Sequence, residues 1–198
     1  MPIYLIRHGE TEWALTGRHT GRTDLPLTEN GERQASALRE RLQGISFTRV
    51  LTSPYQRARR TCELAGLGAE AKVEADLHEW DYGDYEGRTT PDIQLQRPGW
   101  NVFMDGCPHG ESVEAVSRRA DRVLAALRPV DGAVALFSHG QFLGSVAMRW
   151  IGLPVPEGRH FVLDTASFGV LGYEHGDIPV VSSWNCKGQG IEKLKVES

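Results

Sequence analysis

The chain has 198 residues, 40% hydrophobic and 24% charged, with a formal net charge of −4 and a pI near 6.0, which fits one globular domain and excludes a disordered or fibrous chain. The mild acidity argues against nucleic acid as a partner, and three widely spaced cysteines, Cys62, Cys107 and Cys186, without C-x-x-C or Cys/His pairing, argue against a disulfide scaffold or a metal site. The first residues lack the basic and apolar regions of a secretory leader, and no apolar run approaches the roughly 18 residues of a membrane span, so the expectation is a cytoplasmic protein with no membrane partner.

Ile3-Tyr4-Leu5-Ile6 reads as a short buried strand that ends at Arg7-His8-Gly9. Residues 9–29 are rich in Gly, Thr and Asp; Leu27 to Gly31 then offer capping residues for a helix whose apolar face carries Ala35, Leu38 and Leu42 and which Gly44 ends. Arg49 to Thr52 predicts a second strand, and Ser53-Pro54 reads as an N-cap followed by Pro at the first helical position, which places Arg57 in the first turn. A third strand is expected at Lys72 to Ala75, then an aromatic and acidic loop from Leu77 to Gly87, then an irregular stretch over 88–110 with at most a short helix.

From Glu111 to Arg128, Val113, Val116, Ala120, Val123, Leu124 and Leu127 form one helical stripe. Ala133 to Phe137 is an uninterrupted apolar run, typical of a strand covered on both faces, and it ends at Ser138-His139-Gly140. A helix over Gln141 to Ile151 and strands over Phe161 to Tyr173 and Ile178 to Trp184 follow, with residues from 186 onward polar enough to fray. The alternation predicts a single α/β domain over 1–198, a three-layer α/β/α sandwich with a mostly parallel central sheet.

Taken alone, a histidine at a strand end is more often packed than catalytic. Four separated segments change that balance: Arg7-His8, Arg57, Glu79 and His139 supply a nucleophile, cationic clamps for a phosphoryl group and a proton donor. His19, His78, His109, His160 and His175 lack such a setting, Arg59 and Arg60 read as a solvated helix face, and Cys107 has no basic partner to activate it.

The motifs RHGETEW at 7–13, HTGRTDLPLT at 19–28, TSPYQRARRT at 52–61, LHEWDYGDYEG at 77–87, DGCPHGES at 105–112 and FSHG at 137–140 resemble those of the histidine phosphatase superfamily in its phosphoglycerate-mutase-like branch. The resemblance implies that His8 is transiently phosphorylated, that Arg7 and Arg57 grip the phosphoryl oxygens through forked hydrogen bonds, and that His139 donates to the same oxygens. It further implies that Glu79 protonates the leaving alkoxide and that Thr20, Gly21, Tyr82 and Gly140 contact substrate. By composition alone Glu10, Glu12, Asp81, Asp84 and Glu86 rival Glu79, and only its motif position favours it.

No cofactor is implied, and a homodimer is expected only at the level of the family. Mutases of this branch have Asn where this chain has Ala14 and a longer middle insertion bearing paired arginines; a more open pocket lets water take the phosphohistidine, so a phosphatase is expected. The motifs are most similar to the sedoheptulose/fructose bisphosphatase and broad acid phosphatase members. The partner implied is a small phosphorylated substrate, with Arg18, Arg22, His19, Arg88 and Arg97 as candidates for holding a second anion. A bisphosphoglycerate-dependent phosphoglycerate mutase is the alternative, and a non-catalytic adaptor that binds phosphorylated ligands is a remote one.

Overall fold

In a computed structural model that describes residues 1–128 and 130–187, the chain builds a six-stranded sheet in the order β3-β2-β4-β1-β5-β6. The strands are β1 (Ile3–Arg7), β2 (Phe47–Thr52), β3 (Ala71–Val73), β4 (Ala133–Ser138), β5 (Phe168–Glu174) and β6 (Ile178–Cys186). β1, β2, β3 and β4 run parallel, whereas β5 pairs antiparallel with β1 and β6 antiparallel with β5. The helices are α1 (Glu12–Leu15), α2 (Glu29–Leu42), α3 (Gln56–Leu64), α4 (Thr90–Gln94), α5 (Val102–Asp105), α6 (Val113–Leu127) and α7 (Gly140–Trp150).

Alternation along β4 sorts the core into two halves, because successive side chains point to opposite faces. Ala135 and Phe137 join Leu38 and Leu42 of α2 and Cys62 of α3, while Val134 and Leu136 join Val116, Ala120 and Val123 of α6 and Phe142 and Val146 of α7. Every residue of β4 is buried, as the unbroken apolar run requires of a strand covered on both sides. This is the expected three-layer α/β/α sandwich with a mostly parallel sheet. Among the described residues no helix is long and apolar enough to cross a membrane.

The structure redraws three local expectations. Ser53 is not the cap of α3: Tyr55 takes the N-cap position with no side-chain cap bond, and the Ser53 hydroxyl, which accepts from the Tyr55 N–H at 3.4 Å, also lies 2.8 Å from His139 Nε2. The strand expected from Phe161 begins only at Phe168; the carbonyls of Leu163 and Ser167 instead accept from the Arg7 side chain and backbone N–H, so this segment straps Arg7 rather than extending β5. The stretch over 88–110 holds two short helices, α4 with a Thr89/Asp92 capping box and α5 capped by Asn101, and they plant Ile93, Trp100, Val102 and Phe103 in the core. Of the tail expected to fray, residues 188–198 lie outside the described residues, and Cys186 closes β6.

Candidate active site

The registers Arg7 to Ser138 and Thr52 to Phe137 bring the carboxyl ends of β1, β4 and β2 to one level. Their continuations, His8, His139 and Ser53, therefore share one edge of the sheet, where open α/β folds bind ligands. The His8 and His139 ring centroids are 5.2 Å apart, and both residues are buried. His8 Nδ1 lies 2.7 Å from the Gly9 carbonyl oxygen, which can only accept; Nδ1 therefore carries the proton and Nε2 keeps its lone pair. Burial first, then the charges of Arg57 and Arg7, hold His8 well below the usual histidine range, so it is neutral at neutral pH. Those features define a nucleophilic imidazole.

Arg7 and Arg57 divide the work differently from the forked grip expected of both. Arg57 is fully buried: its Nε donates to His139 Nδ1 at 3.2 Å, its Nη1 to the Thr23 carbonyl at 2.9 Å, and its Nη2 to the carbonyls of Thr20 (3.2 Å) and Gly21 (3.0 Å). A guanidinium has five N–H donors, so at most one is left for a ligand. In the turn at 20–23 Arg57 supplies donors to the carbonyls of Thr20 and Gly21 and shares that of Thr23 with the Leu25 N–H, which donates at 3.2 Å. Arg7, by contrast, anchors through Nη1 to the Leu163 carbonyl at 2.6 Å and leaves Nε buried with no partner among the described residues. Nε and Nη2 form the side-on edge that grips two oxygens at once, so the fork falls to Arg7.

Gly140 serves Arg7 as well. A Cβ there would lie 3.3 Å from Arg7 Nη1 and 3.4 Å from its Nε, so a side chain would press on the guanidinium. His139, the N-cap of α7, accepts from Arg57 at Nδ1 and meets Ser53 Oγ at Nε2; both ring nitrogens are engaged, and burial with Arg57 keeps it neutral. Its expected donation to phosphoryl oxygens thus requires Nε2–H to exchange Ser53 Oγ for the ligand.

Glu79 is buried at the start of α7: Oε1 accepts from the Trp80 and Phe142 backbone N–H, both at 2.9 Å, and Oε2 from Gln141 at 3.2 Å. It caps the helix in place of His139, whose side chain makes no cap bond. Desolvation raises its pKa against the lowering effect of those N–H groups and of Arg7. Its rivals are occupied elsewhere: Glu10 by Thr28 and Asn30, Asp84 by His109, Asp81 by Arg22, and Glu86 by the Gly21 and Thr23 N–H groups, while Glu12 is exposed. Of these carboxylates only Glu79 is buried.

Thr20 and Gly21 form the turn that Arg57 holds from below and Glu86 from behind. Tyr82 is 1% exposed with its ring 4.6 Å from that of His19, and its hydroxyl is pushed well above its usual pKa by burial and then by Glu79, so it walls the pocket instead of swinging in it. Arg60 pairs with Glu32 and Glu63 on the surface, and burial pushes the Cys107 thiol up to about 12, which leaves it inert.

Three residues escaped the sequence reading. Ser53 holds His139. Arg119, only 3% exposed, donates from Nε and Nη2 to Glu111 at 2.9 and 2.6 Å and from Nη1 to the carbonyls of Asp76 (2.9 Å) and His78 (2.7 Å). Glu111 in turn accepts from Asp81 N–H at 3.0 Å, so the pair brackets the turn that carries Glu79. The signal was present in the apolar stripe of α6, where Arg119 interrupts the face shared by Val116, Ala120 and Val123.

Residues 3–187 match the family model of the histidine phosphatase superfamily, branch 1. An acid phosphatase of Mycobacterium tuberculosis is 46% identical, over 88% of this chain and 87% of that protein. The sedoheptulose 1,7-bisphosphatase of Saccharomyces cerevisiae is 32% identical (88% of each chain), and a probable phosphoglycerate mutase of Cronobacter sakazakii 34% (97% and 91%). A solved structure of an open reading frame product from Mycobacterium tuberculosis superposes with a TM-score of 0.90 at 42% identity, covering 95% of this chain and 98% of that one. With its paired strand-end histidines, its Arg7 fork and its buried acid in the places the motifs predict, the chain belongs to branch 1 of the histidine phosphatase superfamily.

Proposed function

We propose that the protein hydrolyses phosphomonoesters of small metabolites, sugar phosphates and bisphosphates foremost, through a phosphohistidine at His8. The observation that carries this reading is the conjunction of a proton-fixed His8 with the buried, unpartnered Nε of Arg7: a nucleophile beside a fork that lacks only its anion. A phosphoryl dianion on the fork satisfies that N–H and offsets the positive charge that, after burial, holds His8 and His139 neutral, so His139 can become cationic once the site is occupied.

In the first displacement His8 Nε2 forms the N–P bond as the P–O bond to the leaving group breaks, and Glu79, protonated, delivers its proton to the departing alkoxide. In the second, Glu79 takes a proton from water as the water oxygen attacks phosphorus and the N–P bond breaks, which returns free His8 and releases phosphate. Opposed pKa shifts favour this division of roles. At ordinary values a neutral histidine and a neutral carboxyl coexist poorly; with His8 lowered and Glu79 raised, the two reactive forms overlap on the acid side.

The likeness to sedoheptulose bisphosphatase and acid phosphatase supports a phosphorylated sugar or similar metabolite. The test is a phosphate-release screen over sugar mono- and bisphosphates and phosphoglycerates, with His8→Ala alongside. We expect release that His8→Ala abolishes together with acid-labile phosphoenzyme. Efficient bisphosphoglycerate-dependent isomerisation of phosphoglycerate with little phosphate release would overturn the hydrolytic reading in favour of a mutase.

A further inference from the structure

Five residues, Arg18, His19, Arg22, Arg88 and Arg97, are candidates for meeting a second anionic group, and the structure separates them. His19 is brought down to about 4 by burial and faces Thr90 Oγ1 at 3.0 Å, so it carries no charge at neutral pH. Arg88 donates to the Gln96 side chain and the Asp92 carbonyl, Arg97 to Asp105 at 2.7 Å, and Arg18 to the Gly87 carbonyl at 2.9 Å. Arg22 differs in both setting and freedom.

Its backbone neighbours are fixed on either side. Arg57 holds the carbonyls of Thr20, Gly21 and Thr23, and the Glu86 carboxylate accepts from the N–H groups of Gly21 and Thr23 at 3.0 Å each. The backbone carrying Arg22 is thus tied to an arginine of the phosphoryl site itself. The side chain, in contrast, is 75% exposed, and its one ion pair crosses to the turn after Glu79: Nη2 lies 2.9 Å from Asp81 Oδ2. Asp81 is 13% exposed and pinned, with Oδ1 accepting from Gly83 N–H at 3.1 Å. Tyr55 joins the two regions, since its ring lies 4.7 Å from the Arg57 guanidinium and 5.8 Å from the His139 ring while its hydroxyl feels the charges of Arg22 and Asp81.

We propose that Arg22 is a specificity residue that reads a second anionic group on the substrate, a phosphate or a carboxylate, with Asp81 as the built-in competitor which that group must displace. This rests on the hydrolytic reading above and adds a substrate class to it. An exposed cation in a single ion pair exchanges partners at little cost, because solvent screens both charges and either side chain is readily rehydrated. A long guanidinium on a fixed backbone can therefore follow an incoming anion without moving the phosphoryl site. A substrate with a neutral tail leaves the Arg22 to Asp81 pair intact and gains nothing from it.

The test measures competitive inhibition of p-nitrophenyl phosphate hydrolysis by two matched pairs: fructose 1,6-bisphosphate against fructose 6-phosphate, and 3-phosphoglycerate against glycerol 3-phosphate. The readout is the ratio of inhibition constants within each pair, which a general loss of fold or activity leaves unmoved. In wild type the member with two anions competes better; Arg22→Gln shrinks that advantage about 10-fold, the scale of one charge-assisted hydrogen bond, and Asp81→Asn enlarges it. The pair that responds names the second anion. Ratios unchanged by Arg22→Gln in both pairs, or lowered by Asp81→Asn, overturn the assignment of Arg22. If p-nitrophenolate release is itself absent or survives His8→Ala, the hydrolytic reading falls and the assignment with it; with His8-dependent release and unmoved ratios, only the assignment falls.

Discussion

Replacing Arg119 by Met tests whether the Glu79 turn is held from behind by a buried ion pair. Methionine keeps the aliphatic stem but removes five hydrogen bonds: two to Glu111 and one each to the carbonyls of Asp76, His78 and Glu79, the last at 3.4 Å. Losing one partner of a buried pair costs about 3–5 kcal/mol because the other charge stays behind unpaired. Glu111 keeps 17% exposure and can partly rehydrate, which places the expected loss at the lower end, about 3 kcal/mol. By comparison, removing Arg60 from its surface pair with Glu32, where both side chains are 46% exposed, should leave stability nearly unchanged. Urea denaturation of Arg119→Met and of the double variant Arg119→Met with Glu111→Gln measures the effect, and the double variant should recover part of the loss. The kinetic signature is specific: a loosened Glu79 slows esters with poor leaving groups more than p-nitrophenyl phosphate. A stability loss below about 1 kcal/mol, or an unchanged alkyl-to-aryl rate ratio in a folded variant, would refute the reasoning.

The pH profile of kcat/KM should have an acid limb set by His8, below the usual histidine range, and an alkaline limb set by Glu79, above the usual carboxylate range; Glu79→Gln should erase the alkaline limb, and an optimum on the alkaline side of neutrality contradicts the assignment. Gly140→Ala sets a methyl 3.3 Å from Arg7 Nη1 and should raise KM several-fold with a smaller change in kcat, measured on any hydrolysed monoester. Stability should decline on acidification from about pH 6.5 downward, because His8, His139 and His19 have depressed pKa values in the fold and the unfolded chain takes up protons that the folded one refuses. Melting temperatures across that range check it, and a flat profile would contradict the sign.

What the sequence disclosed and what it hid follow from the range of the forces involved. β1, β4 and α6 were legible because burial stamps a local pattern on them: unbroken apolar runs in the strands and a stripe over Val116, Ala120, Val123 and Leu127 in the helix. Strand ends then placed His8 and His139, and motif order supplied Arg57 and Glu79. Local signals misled where a distant partner claims the group. Ser53-Pro54 looks like a helix cap to its neighbours, but the cap position falls on Tyr55, and the Ser53 hydroxyl also meets a histidine 86 positions away in sequence. Phe161 to Leu163 looks like a strand, but the chain is diverted to meet Arg7. The division of labour between the two arginines was invisible, because it depends on which carbonyls of the turn at 20–23 face Arg57 in the fold.

The strap at Leu163 also bears on how the enzyme comes into being. β1 emerges first from synthesis yet lies between β4 and β5, so its neighbours arrive more than 120 residues later. Until that pairing forms, Arg7 has no carbonyl to brace against and His8 has no His139 beside it. Such long-range closure is slow to form. A chain halted before Leu163 therefore carries every catalytic side chain but lacks the brace that aims Arg7, and activity should appear late in folding, together with the docking of β5 and β6 and not with the first helices.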